Sequence, residues 1–136
     1  MTDQFYLDSS ALVKRYVAET GTDWIGRLCA VEAVNTLYTA RMTGAEIAAA
    51  LFRKVREGTL AASDAQAAVT RFKADFRRRY QVVEITDELV EMAMDLVERH
   101  ALRGYDAVQL AAALELQGAR VSLSLSPIHF VSPITG

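Results

Sequence analysis

Three acidic residues stand in settings that give each carboxylate a separate task, although almost a hundred residues separate the first from the last. They are Asp8, Glu46 and Asp106, and each lies beside an apolar run. An unpaired ionised acid is costly in apolar surroundings. If the fold gathers the three carboxylates, a divalent cation is their natural partner, because Mg²⁺ prefers carboxylate oxygens as protein ligands.

Each of these acids also has a purely structural interpretation. Asp8 precedes two serines and an apolar segment, which is typical of a helix N-cap. Thr43 and Glu46 have the spacing of a capping box, in which the glutamate bonds back to the threonine backbone. Asp106 falls in the first turn of an apolar helix, where the helix dipole stabilises a negative charge. Taken one at a time, the three acids leave both interpretations open.

The chain reads as strands alternating with helices. Residues 5–7 form a short apolar run that stops at Asp8, the pattern of a buried strand that leads into a helix. Further strands are predicted at 37–39, 81–85 and 121–126, and helices at 10–18, 22–34, 43–57, 63–79, 87–101 and 104–117. This alternation predicts an α/β fold of three layers with a central, mainly parallel sheet, whose ligands bind beyond the carboxyl ends of the strands.

Composition limits the possible functions. With 136 residues, 51% of them hydrophobic and 24% charged, the chain fits one globular domain. A net charge of −2 argues against nucleic-acid binding by bulk positive charge, so any such contact needs a local basic patch. The single cysteine, Cys29, excludes an intramolecular disulfide, and the sequence shows neither a leader peptide nor a membrane span. We therefore expect a cytoplasmic protein.

Positive charge is concentrated near the end of the helix predicted at 63–79. Such a cluster is either a solvated helix end or a track for phosphates. Two further cations, Lys14 and Arg15, are closer in sequence to Asp8. The cluster consists of Arg71, Lys73, Arg77, Arg78 and Arg79.

The end of the sequence differs in composition from the rest. Residues 121–136 contain no Asp, Glu, Lys or Arg, and residues 121–126 alternate like a strand before Pro127. We therefore expect one domain over residues 1–126 and an atypical uncharged tail over residues 127–136. The tail is an ordered edge, an interface segment or a disordered extension.

Three segments together resemble the PIN domain, specifically the VapC toxins of bacterial toxin-antitoxin pairs. They are Leu7-Asp8-Ser9-Ser10-Ala11-Leu12-Val13-Lys14, then Thr43-x-x-Glu46-Ile47, then Leu102-Arg103-x-Tyr105-Asp106-Ala107-Val108-Gln109-Leu110-Ala111. The resemblance covers residues 5 to about 117, with the motifs in the family's order. One such motif is weak evidence, whereas three in register are strong.

The resemblance implies a PIN-like fold and an endoribonuclease that depends on Mg²⁺ or Mn²⁺ and hydrolyses RNA phosphodiester bonds. It also implies a homodimer and inhibition by a small cognate antitoxin. The family's site acids correspond to Asp8, Glu46 and Asp106. We expect Asp8 and Asp106 to bind the metal directly, and Glu46 to hold a water or to act as general base.

The sequence departs from the family at the fourth acid, which usually follows the last core strand. This chain has Ser122-Leu123-Ser124-Leu125-Ser126-Pro127 there, and its only acid after Asp106 is Glu115. The departure favours one metal ion over two. It also motivates an alternative function, a PIN-fold binding module with weak or no nuclease activity. A phosphatase that uses Asp8 as nucleophile is disfavoured, because position 10 is serine rather than a second aspartate.

Overall fold

A four-stranded parallel sheet forms the centre of the protein in the computed structural model, which describes residues 3–17, 22–30 and 35–131. The strands stand in the order β3-β2-β1-β4, and each neighbouring pair is parallel. Their bounds are β1 (Gln4–Leu7), β2 (Thr36–Ala40), β3 (Tyr80–Val83) and β4 (His129–Val131). With all strands parallel, their carboxyl ends share one edge of the sheet.

Six helices connect and cover these strands in the described part of the chain. Their bounds are α1 (Ser9–Leu12), which continues as a 3-10 turn at Val13–Arg15, α2 (Thr22–Cys29), α3 (Thr43–Arg56), α4 (Ala62–Arg78), α5 (Asp87–Arg99) and α6 (Gly104–Ser122). Among the described residues, no helix has both the length and the apolar character needed to cross a membrane.

Two separate apolar cores cover the two faces of the sheet. Successive side chains of a strand point to opposite faces, and β1 shows this directly: Leu7 joins the core built with α1 to α4, whereas Tyr6 joins the core built with α5 and α6. Both side chains are fully buried. The predicted three-layer α/β/α architecture with a parallel sheet is therefore confirmed.

Most predicted elements are present with small shifts of their ends. The strand predicted at 81–85 is β3, one or two residues earlier, and the helix predicted at 104–117 is α6, which continues to Ser122. The helix predicted at 22–34 is α2, which ends at Cys29. The rest of that prediction, residues 31–34, and the end of the helix predicted at 10–18 lie outside the described residues.

The strand predicted at 121–126 is wrong. Residues 121 and 122 complete α6, and the chain then turns, with Ser124 at a φ of 56° and the Leu125 N–H donating to the Arg120 carbonyl. The alternating leucines mislead because neither faces a core: Leu123 and Leu125 are both exposed. The edge strand is instead β4, inside the stretch assigned to the tail.

β4 is held by an aromatic contact that the alternation pattern does not reveal. The Phe130 ring stacks on the Tyr6 ring of β1, with 5.6 Å between centroids. The N–H of Ile128, just before the strand, donates to the Gln117 side chain of α6 over 2.8 Å. Of the three alternatives for the tail, an ordered edge is therefore correct for residues 129–131.

Two glycines provide a matched test of the backbone. Gly58, which follows α3, has a φ of 79°, whereas Gly118 lies inside α6 with open space where a Cβ would stand. We expect Gly58→Ala to lower the free energy of unfolding by about 1–2 kcal/mol, the cost of a side chain in the left-handed region. Gly118→Ala should raise it by about 1 kcal/mol through helix propensity. Urea denaturation of both variants checks the pair, and equal effects would contradict the assignment.

Candidate active site

Asp8 stands directly after β1, at the carboxyl edge of the sheet. Its side chain is buried, with only 6% of the residue exposed. It is the N-cap of α1, and its Oδ1 accepts a hydrogen bond from the Ala11 N–H over 2.9 Å. The capping interpretation is therefore correct for Asp8, and the same cap positions the carboxylate at the edge where ligands of parallel sheets bind.

Glu46 lies in the first turns of α3, which begins three residues after β2 ends. The capping-box interpretation is wrong, because the N-cap of α3 is Met42 and no side chain caps the helix. The half-buried Glu46 carboxylate accepts a hydrogen bond from Gln109 Nε2 over 2.7 Å instead. Glu46 therefore faces α6, and it is positioned by a residue 63 positions away rather than by its own helix end.

Asp106 lies in the first turn of α6, as predicted. Its Oδ2 accepts a hydrogen bond from Arg103 Nε over 3.1 Å, and the two residues form an ion pair. Arg103 is largely exposed, and its guanidinium also lies over the Tyr105 ring, 4.7 Å from the centroid. The charge of Asp106 is thus balanced by a local cation that solvent can reach.

Electrostatic coupling shows that the acids face a common region. Burial raises the pKa of Glu46, and the charges of Asp8 and Asp106 raise it further, while hydrogen bonds from Gln109 and Ser9 act in the opposite direction. Burial, followed by the charges of Asp8 and Glu46, raises the pKa of Tyr6. The fold therefore brings Glu46 within electrostatic range of both aspartates, which the sequence had only placed near one sheet edge.

An open groove of about 490 Å³ lies beside Glu46. Its wall carries three cations, Lys14, Arg53 and Lys54, and the exposed ring of Tyr105. The hydroxyl residues Ser9 and Ser10 line it as well. The acids that line it are Glu46 and Glu57, whereas Asp8 and Asp106 are not among its lining residues. A groove with three cations and an aromatic ring suits a phosphate-bearing polymer whose backbone passes Glu46.

Sequence reasoning missed two of these groove cations. Arg53 and Lys54 follow Glu46 by seven and eight positions on α3, a spacing that returns to the same helix face. This signal was present in the sequence. The basic cluster of α4 was considered instead, and there Arg71 lies over the Tyr16 ring and Arg79 donates to the Cys29 carbonyl. The cluster does not line the groove beside Glu46.

The donor set fits a hard divalent cation. Three carboxylates supply oxygen, the donor that Mg²⁺ selects, and Mg²⁺ needs only one or two direct carboxylates because it keeps several waters. Over residues 3–17, 22–30 and 35–131, however, no group of three or more His, Cys, Asp or Glu side chains is placed so that it could hold a metal ion. An ion bound here would therefore take at most two of these carboxylates directly and complete its coordination with water.

The carboxyl end of β4 reaches the same edge. The Asp8 N–H lies 3.4 Å from the Val131 carbonyl oxygen, so the chain leaves β4 beside Asp8. The Ser122–Pro127 stretch precedes β4 and is exposed. The Ser122–Pro127 stretch therefore does not follow the last strand, as the position of the family's fourth acid does. The position after β4 begins at residue 132, outside the described residues, and residues 132–136 contain no acid.

The comparisons with known proteins identify the family of this chain. The family model described as PIN domain matches residues 5–123. Two Mycobacterium tuberculosis proteins, ribonuclease VapC45 of strain CDC 1551 / Oshkosh and ribonuclease VapC49 of strain ATCC 25618 / H37Rv, are each 36% identical to this chain over 109 residues. Each alignment covers 80% of this chain and 74% of the relative.

A solved structure shares the fold. The crystal structure of Mycobacterium tuberculosis VapC20, described as a Sarcin-Ricin loop cleaving toxin, superimposes with a TM-score of 0.63 and covers 95% of this chain and 90% of its own. Its sequence identity of 18% supports the fold alone. Because the family model spans most of the chain and the curated relatives share more than a third of the aligned residues, this chain belongs to the PIN-domain family and, within it, to the ribonuclease VapC proteins.

Proposed function

We propose that this protein hydrolyses RNA phosphodiester bonds at the edge formed by Asp8, Glu46 and Asp106, with Mg²⁺ or Mn²⁺ as cofactor. The observation that carries the proposal is the position of the half-buried Glu46 carboxylate beside a groove lined by cations, in a chain of the PIN-domain family. Both curated relatives are named ribonucleases, which favours catalysis over the binding-only alternative.

Each acid has a distinct role in this proposal. Asp8 and Asp106 hold the ion, which when bound supplies positive charge to the phosphate oxygens and lowers the pKa of a coordinated water. The Glu46 carboxylate takes the proton of the attacking water as general base, and burial, which raises its pKa, makes it a stronger base than an exposed glutamate. Lys14, Arg53 and Lys54 bind RNA phosphates along the groove.

The partners of the protein are part of the same proposal. Ribonuclease VapC proteins act as toxins, so we propose a small cognate antitoxin that inhibits this chain, a homodimer, and a cytoplasmic location. An exposed apolar stripe on α5, formed by Val90, Met94 and Val97, follows helical spacing and offers a surface for protein contact.

Replacing either proposed metal ligand should abolish cleavage while the fold remains. We expect Asp8→Asn and Asp106→Asn to lower the rate of RNA cleavage in Mg²⁺ or Mn²⁺ by at least about 100-fold, the usual cost of losing an electrostatic group at a reacting centre. Asp95→Asn, on the exposed face of α5, is the matched control. Equal cleavage by the wild type, both site variants and the control would reject the assignment.

Glu46 should destabilise the metal-free protein at neutral pH. The folded-state pKa of Glu46 is raised. Below its ordinary pKa of about 4.3 the carboxyl is protonated in both states and costs the folded protein nothing. As pH rises through the folded value the carboxylate ionises inside the fold, and the free energy of unfolding falls. We therefore expect Glu46→Gln in EDTA to unfold at a higher temperature than the wild type at pH 7.5. The difference should shrink near pH 4. Glu98→Gln, on exposed α5, is the control, and a pH-independent difference would contradict this explanation.

We further propose that the site holds a single ion, because residues 107–136 supply no acid except Glu115 on α6. Titration of the metal-free protein with Mn²⁺, followed by calorimetry, should give one tight site per chain. The variant Ser124→Asp should leave both the stoichiometry and the cleavage rate unchanged, because residue 124 is exposed and precedes β4. Two tight ions per chain, or activation by Ser124→Asp, would overturn the single-ion proposal.

A further inference from the structure

The buried polar side chains of the described chain are concentrated at one place. They number four, Asp8, Thr39, Thr43 and Gln109. Burying a polar group costs free energy unless its hydrogen bonds are satisfied. None of the buried side-chain nitrogen and oxygen atoms in the described ranges lacks a partner. These four residues therefore form a satisfied polar core beneath the proposed site.

Gln109 is the centre of this polar core. Its Oε1 accepts a hydrogen bond from the Tyr6 hydroxyl over 2.7 Å. Its Nε2 donates to Thr43 Oγ1 over 3.0 Å and to Glu46 Oε1 over 2.7 Å. One side chain thus links β1, α3 and α6, and it uses both protons of its amide.

The orientation of the Gln109 amide is dictated by its neighbours. An ionised Glu46 carboxylate can only accept, so the Nε2 end must face it. Burial raises the pKa of Tyr6, so its hydroxyl keeps the proton that it donates to Oε1. A flipped amide would place Oε1 against the Glu46 carboxylate, where two acceptors repel each other, and would lose the bond between Nε2 and Glu46.

The same network reaches the backbone next to Asp8. Thr39 Oγ1 lies 2.8 Å from Thr43 Oγ1 and 2.8 Å from the Leu7 carbonyl oxygen. Because a carbonyl only accepts, the Thr39 proton goes to Leu7, and the Thr43 proton closes the contact between the two threonines. Leu7 immediately precedes Asp8, while Asp106 lies three residues before Gln109 on α6. The network therefore joins the backbone next to Asp8 to the Glu46 carboxylate, and Gln109 extends from the same helix as Asp106.

We propose that Gln109 is a positioning residue that holds the Glu46 carboxylate in its catalytic orientation relative to Asp8 and Asp106. The inference rests on the proposed function, since it assigns a role to a residue that acts through the general base. Glu46 lies in the first turn of α3, and the N-cap residue of that helix, Met42, makes no side-chain capping bond. The amide of Gln109 and the Ser9 hydroxyl are the hydrogen-bond partners that act on its carboxylate.

Cleavage kinetics distinguish positioning from a general structural role. Gln109→Met keeps the side-chain length and removes the amide, so we expect a 10- to 100-fold lower kcat for RNA cleavage, about the cost of losing an orienting partner. KM for RNA should change less than about twofold, because the groove cations are untouched. Gln66→Met, on the exposed surface of α4, is the matched control. An unchanged kcat for Gln109→Met would overturn the inference.

A double-mutant cycle with Glu46→Gln tests whether Gln109 acts through Glu46. If it does, the double variant should cleave at the rate of Glu46→Gln alone within about twofold, since the oriented group is already lost. Multiplied losses would show that Gln109 acts elsewhere and would overturn the inference, while the proposed function would stand. An inactive wild type would overturn both.

Nuclear magnetic resonance gives a readout that needs neither activity nor a variant at position 109. The side-chain NH₂ group of Gln109 in ¹⁵N-labelled metal-free protein should show one proton shifted downfield by its bond to a carboxylate. That resonance should move in Glu46→Gln, and it should stay in place in the control Glu98→Gln. An unchanged chemical shift of the Gln109 side-chain amide in Glu46→Gln would overturn the inference even if the protein cleaves RNA.

Discussion

Negative charge is gathered at one edge of the sheet on side chains that are partly or fully buried, and the rest of the site depends on how that charge is stabilised. A carboxylate loses hydration when it is buried, and it repels other carboxylates most strongly where water is excluded. Glu46 experiences both effects, since burial and the two aspartates raise its pKa together. Without a cation the folded protein therefore carries an unfavourable interaction, which a divalent ion would turn into attraction.

The fold supplies this arrangement through a few local devices. Parallel strands bring the ends of β1 and β2 to one edge, and short connections start α1 and α3 there. The N-cap bond to Ala11 N–H orients Asp8, and the Arg103 side chain accompanies Asp106. Glu46 is half-buried between α3 and α6, and the amide of Gln109 bonds to it there. Backbone, ion pair and buried amide thus each orient one acid.

Elements with a strong hydrophobic period could be predicted from the sequence, and those whose identity depends on a distant contact could not. The helix at 104–117 and the strand at 81–85 were close to correct because apolar spacing determines both. The strand at 121–126 was wrong, because alternation indicates a strand only if one face is covered, and Leu123 and Leu125 have no cover. The segment His129–Val131 has no clear hydrophobic period. It is held as a strand by the stacking of Phe130 on Tyr6 and by the hydrogen bond between Ile128 and Gln117.

The sequence by itself determined the fold class and the family resemblance and singled out three candidate acids, because residue types, periodicity and motif order can be read without the tertiary structure. Only the tertiary structure decided what surrounds each acid. The Thr43 hydroxyl joins a buried network instead of capping α3, and Gln109 contacts Glu46 across 63 residues. Hydrogen bonds between distant residues produce no periodic pattern in a sequence. The role proposed for Gln109 toward Glu46 therefore depends on the packing of β1, α3 and α6 against one another.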